Sequence, residues 1–156
     1  MNSSTRKNFT LFILIALSVL SVAQIGSFWV NRTIPLGTSI ELNGLIHLTH
    51  IRNMGGVFGM FQGQGWLFAL LSLGLIAGLV IYLLASKQVQ RYEFICFGFI
   101  AGGGSSNIID RLVYGSVVDF INIQQIPFWH YIFNTADVMV HIGLWPMLYF
   151  SLRAGR

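Results

Sequence analysis

Residues 66–85 read WLFALLSLGLIAGLVIYLLA, an apolar run without a charged side chain. A helix needs about 20 such residues to cross the hydrocarbon of a bilayer. The run therefore predicts a membrane span, and the rest of the chain can be read outward from it. Phe9 to Val30 is a second uncharged apolar run. Phe94 to about Ile109 is a third, shorter and richer in Gly and Ser. Residues 132–152 make a fourth, interrupted by Asn134, Asp137, His141 and Pro146. The reading is an all-α polytopic membrane protein, one domain over residues 1–156, with four transmembrane helices.

Composition supports this. Of 156 residues, nine are Lys or Arg and five are Asp or Glu, so 9% are charged. A soluble domain typically has roughly 25%, so a water-soluble enzyme is excluded. The 54% hydrophobic content likewise excludes intrinsic disorder. The net charge of +4 does not point to nucleic acid, because the basic residues sit singly or in pairs between apolar runs. Cys96 is the only cysteine, so an internal disulfide is impossible.

Charge sets the expected sidedness. Arg6, Lys7, Lys87, Arg91, Arg153 and Arg156 fall on one side of a four-span arrangement, and Arg32, Arg52 and Arg111 on the other. The richer side is cytoplasmic by the positive-inside rule. Both termini then lie inside, and residues 31–65 and 110–131 face outward. Arg6-Lys7, the apolar run and Ser21-Val22-Ala23 also resemble a cleavable signal peptide. The run continues through Val30, beyond the usual signal core, which favours a retained helix. In the outer segment, Ile40-Glu41-Leu42 and Leu45 to Ile51 favour strands around an Asn43-Gly44 turn dipeptide. A β-hairpin on the membrane surface is expected, with a tight Gly-rich loop at residues 55–59. His47 and His50 read as surface-strand residues.

The acids carry the chemistry. All three aspartates lie between residues 110 and 137. Ionisable groups at membrane depth are costly and by default functional. Asn134, Asp137 and His141 share a helix face by their spacing of three and four. Asn107, Asp110 and Arg111 make a similar face closing the third span, where Asp110 and Arg111 read as an interfacial pair. Asp119 sits inside the apolar pentapeptide Val117 to Ile121, as an acid facing a cleft would. Asp119 and Asp137 can meet at one level. Two adjacent carboxylates cannot both ionise easily, so one retains a proton. Such a pair can activate water and polarise an amide carbonyl. An aspartate dyad is one reading; a proton relay in a small proton-coupled transporter subunit, with His141, is the alternative. The histidines show no zinc-ligand spacing, so no metal or other cofactor is expected. Gly102-Gly103-Gly104 suits close helix approach better than phosphate binding, since no Lys-Ser/Thr follows.

Four blocks resemble the bacterial lipoprotein signal peptidases, the signal peptidase II family. They are Asn53-Met54-Gly55-Gly56-Val57-Phe58; Gly102-Gly103 with Asn107-Ile108-Ile109-Asp110-Arg111; Val117-Val118-Asp119-Phe120; and Phe133-Asn134-Thr135-Ala136-Asp137. The resemblance implies an intramembrane aspartyl endopeptidase that cuts prolipoproteins before a diacylglyceryl-modified Cys. It implies Asp119 and Asp137 as the catalytic dyad, supported by Asn53, Asn107, Asp110, Arg111, Asn134 and Ala136. It also implies four transmembrane helices, a small extracytoplasmic β-cradle and a short extracytoplasmic helix in the bacterial inner membrane. Prolipoproteins and membrane lipids are the expected partners, and the expected state is monomeric. Three places depart from the family pattern. Its first-helix Asp-Gln-x-Ser/Thr-Lys block is here Ala23-Gln24-Ile25-Gly26-Ser27, Ser106 replaces a Gly, and His141 replaces a small or apolar residue. A non-catalytic or substrate-restricted paralogue is therefore a further reading.

Overall fold

The structure is a computed structural model and describes residues 3–86 and 88–154. Lys87 and Arg156, which enter the sidedness argument, lie outside the described residues. The chain forms α1 (Ser3–Thr33), β1 (Ser39–Glu41), β2 (Ile46–Asn53), α2 (Gly65–Ala85), α3 (Arg91–Tyr114), β3 (Val117–Ile123), β4 (Ile132–Phe133) and α4 (Thr135–Ala154). The helices pack side by side, and the four strands form an antiparallel sheet in the order β1-β2-β3-β4 at one end of the bundle.

By length and composition, α1 and α2 can each cross a membrane. Helix α2 buries only Gly65 and Leu83; Leu70, Leu71 and Leu75 on it are exposed. An apolar helix so bare of contacts suits lipid rather than water. The more polar α3 is the central element and packs most extensively on α1 and α4. Small residues make this possible. A Cβ on Gly102 would sit 2.6 Å from the Ala16 carbonyl oxygen, and one on Gly103 2.5 Å from that of Ala136. Close backbone contact of this kind replaces the hydrophobic drive that lipid does not supply.

Two apolar clusters result. Phe12, Leu83, Phe94, Phe97, Ile100 and Ala101 pack together between α1, α2 and α3. Val30, Ile34, Val118 and Phe120 join the end of α1 to β3. The second cluster fastens the sheet to the bundle.

The hairpin predicted over residues 40–51 is present as β1 and β2. Its connection is longer than a two-residue turn, because the Asn43 carboxamide oxygen accepts from the Leu45 and Ile46 amides and stabilises a wider loop. Further boundaries differ from expectation. Helix α3 runs past Ile109 to Tyr114 and ends at Gly115, whose φ of 71° suits glycine. Residues 132–133, expected in the fourth span, pair with β3 instead, and α4 begins at Thr135. The short helical element is a single 3-10 turn at Val57–Gly59, whereas residues 124–131 are turns and irregular backbone. His50, expected at the surface, is 2% exposed. Its Nδ1 bonds the Ile34 carbonyl at 2.7 Å, fastening β2 to the chain leaving α1.

Candidate active site

The site lies where the sheet meets the ends of α3 and α4. Asn134 immediately precedes α4, at its N-cap position. Its side-chain oxygen accepts from the Asp137 amide at 3.0 Å, while Asp137 Oδ2 accepts from the Asn134 amide at 3.1 Å. This is a capping box with Asp at the third helical position. Such a cap typically contributes about 1 kcal/mol. Here it also fixes the position of an acid.

Asn134 then links that acid to a second one. Its Nδ2 donates to Asp119 Oδ1 at 2.7 Å and to Asn107 Oδ1 at 3.2 Å. Asn107 Nδ2, from α3, donates to Asp137 Oδ1 at 2.9 Å. Asn53 Nδ2, from β2, donates to Asp119 Oδ2 at 3.0 Å. Asp119 is thus held by two asparagines and is only 2% exposed. Burial, and next the nearby Asp137 charge, raise its carboxyl to about 6, against the opposing pull of Asn53, Asn134 and Arg111. The two acids, 18 residues apart in sequence, share one bridging asparagine. At near-neutral pH such a site can hold one carboxylate and one carboxylic acid, and these are the two forms needed to activate water and polarise a carbonyl.

Two supports surround the pair. Arg111 donates from Nη1 to the Asn107 carbonyl at 3.1 Å and from Nη2 to the Gly55 carbonyl at 2.8 Å. It therefore ties the Gly-rich loop to α3. The Asn53 side chain closes that loop by accepting from the Gly55 amide and donating to the Gly56 carbonyl. Asp110 is not Arg111's partner, contrary to the sequence expectation. Adjacent helix positions point about 100° apart, so the two side chains diverge. Asp110 accepts from Gln24 Nε2 at 2.8 Å and from the Val118 amide at 3.1 Å. It anchors the residue just before Asp119.

The sequence reading assigned no role to Gln24. Two signals mark it: a carboxamide inside an otherwise apolar helix, and its match to the Gln of the family's first-helix block. Gln24 Nε2 also donates to Ser106 Oγ at 3.0 Å, so the Ser106 departure belongs to the same network. Ala136 is buried against Gly103 and sets the distance between α3 and α4. Ala23 and Ser27 are buried along the inward face of α1. His141 is exposed and stacks on Trp145, one helical turn beyond Asp137.

The helical bundle thus carries at its sheet end two aspartates joined through one asparagine. Comparison with known proteins gives the family. Residues 15–153 match the family model described as Signal peptidase (SPase) II, and the chain belongs to that family. The "Lipoprotein signal peptidase" of Anoxybacillus flavithermus is 35% identical over 142 residues, 90% of this chain and 84% of the relative. That of Bacillus subtilis is 34% identical over 135 residues, covering 86% and 88%. A solved structure described as a bacterial membrane enzyme, determined by the in meso method at 2.3 Å, superposes with a TM-score of 0.84. It is 27% identical, and the match covers 92% of this chain and 88% of that one.

Proposed function

We propose that this chain is an intramembrane aspartyl endopeptidase that cleaves diacylglyceryl-modified prolipoproteins just before the lipidated Cys. The family and its named relatives support signal-peptide cleavage of prolipoproteins. The aspartyl mechanism rests on one observation: Asn134 joins Asp119 and Asp137 at the sheet end of the bundle.

In this reading the four long helices span the membrane, both termini are cytoplasmic, and the site faces outward. The substrate's signal helix lies in the bilayer with its acyl chains in lipid. The ionised member of the pair takes a proton from water, and the oxygen attacks the scissile carbonyl carbon. The protonated member donates to the carbonyl oxygen. Collapse of the tetrahedral intermediate breaks the C–N bond: the leaving nitrogen takes the proton that came from water, and a hydroxyl of the intermediate returns its proton to the other Asp as C=O reforms, restoring the pair. The Asp that holds the proton is a property of the coupled pair, not of either residue alone. The altered first-helix block does not remove the dyad, and Ser106 is built into its support.

Purified protein is incubated with a diacylglyceryl prolipoprotein and the released signal peptide is measured. Wild type cleaves. Asp119→Asn and Asp137→Asn each lose 100-fold or more, the usual scale for an acid–base group. Cleavage by both variants at the wild-type rate sinks the mechanism. Binding of the prolipoprotein without cleavage by the wild type would mark a non-catalytic paralogue, and proton flux in liposomes without a peptide product would mark a transporter.

A further inference from the structure

A polar cavity of about 240 Å³ lies between the end of α1 and β2, lined by residues 31–36, His50 and Arg52. It is separate from the aspartate site. Consecutive β2 residues face opposite ways, and here Asn53 reaches Asp119 while Arg52 reaches α1 and α3.

The groups around this cavity are under-used. Arg52 Nη2 donates to the Asn31 side-chain oxygen, and the guanidinium stacks 4.7 Å from the centre of the Tyr114 ring. Arg52 Nη1 is buried and has no hydrogen-bond partner among the described residues. His50 Nδ1 faces a carbonyl oxygen, which only accepts, so Nδ1 carries the proton. His50 Nε2 is then the free ring nitrogen, also buried and also without a partner. Arg32 lines the same cavity, and no carboxylate among the described residues does. Unsatisfied buried polar atoms oppose folding, and uncompensated cations around a cavity attract an anion.

We propose that this cavity binds a phosphate group, with Arg52 Nη1 as donor, Arg32 supplying further charge and His50 lining the wall. Position favours a phospholipid headgroup as its source. The apolar run of α1 ends at Val30, and the cavity begins one residue later. Phe28 and Trp29 are exposed beside it, as aromatics at a bilayer boundary often are. Lipid phosphates lie at that level, and basic residues there bind anionic lipid. A headgroup so held would tie α1 to the strand that carries Asn53.

The test measures thermal unfolding of the purified protein in neutral detergent micelles. Dioleoyl phosphatidylglycerol, dioleoylglycerol and inorganic phosphate are titrated separately. A ligand of the native state at free concentration L stabilises it by RT ln(1 + L/Kd), so above Kd the midpoint climbs with the logarithm of ligand concentration. Phosphatidylglycerol raises it at low concentration and dioleoylglycerol does not. Arg52→Gln raises the lipid concentration needed for a given shift by about tenfold, the scale of one charge-assisted hydrogen bond. Arg32→Gln alters an exposed side chain, so it can be read even if Arg52→Gln fails to fold, and it raises that concentration by about two- to threefold. Arg91→Gln, at the far end of the bundle, leaves it unchanged. A shift with inorganic phosphate, alone or alongside the lipid, that weakens in the same variants also supports the site and makes free phosphate a source. The proposal is overturned if neither phosphate compound shifts the midpoint, if dioleoylglycerol shifts it equally, or if the foldable cavity variants keep the wild-type titration.

Discussion

Folding raises the Asp119 carboxyl to about 6, chiefly by burial. That has a consequence for stability with a definite sign. Below about pH 4 the group is protonated in the native and unfolded states alike. Between about 4 and 6 the native state keeps a proton that the unfolded chain has lost, so stability falls as pH rises. Above about 6 the full penalty applies. Asp119→Asn removes it, so relative to wild type the variant gains about 2–3 kcal/mol between pH 4 and pH 8. Unfolding in mixed micelles at pH 4, 6 and 8 measures this, and an identical gap at all three values rejects the raised carboxyl. Gln24 gives a second prediction at this scale. Gln24→Leu leaves Asp110 Oδ1 and Ser106 without their donor. A buried acceptor left unpaired costs about 1–3 kcal/mol. Because Asp110 also holds the Val118 amide, kcat falls about tenfold or more with KM little changed. Equal losses in both constants, or none, would show that Gln24 does not position Asp119.

At the scale of elements, the site depends on how closely the helices approach. Asp137 is carried by α4, and α4 is seated on α3 through Gly103. A methyl at Gly103 has to push back the Ala136 carbonyl or move the helix. Gly103→Ala therefore destabilises by about 1–3 kcal/mol, the usual cost of overpacking. It also lowers cleavage more than binding, because it shifts the Asn107–Asp137 contact. Melting curves and a KM-against-kcat comparison test both effects. The same element scale explains several boundary differences. The apolar pattern of residues 132–133 suits either a span or a strand. Pairing of Ile132 with Asn122 and Phe133 with Ile121 decides for the strand. The following Asn134 then becomes the α4 cap.

For the whole molecule, the arrangement predicts that the sheet and the start of α3 lie on opposite sides of the membrane. In a Cys96→Ala background, Asn43→Cys in the hairpin loop reacts with a membrane-impermeant maleimide in intact cells. Arg91→Cys reacts only after permeabilisation. The reverse pattern overturns the orientation.

Much of this was legible in the linear chain. Apolar runs and scarce charge mark the long helices, because hydrocarbon tolerates only segments that satisfy their own backbone. Asp119 and Asp137 stand out as acids in apolar surroundings, and the spaced blocks carry the family likeness. The tertiary structure alone decided who holds whom. Asp110 turns from Arg111 to Gln24 and Val118, and His50 turns inward to Ile34. Asn134 bridges the two acids. Hydrogen bonds are short and directional, so they depend on angles and packing between distant segments. Sequence spacing shows which residues can meet; the direction of each helix face and strand decides which do.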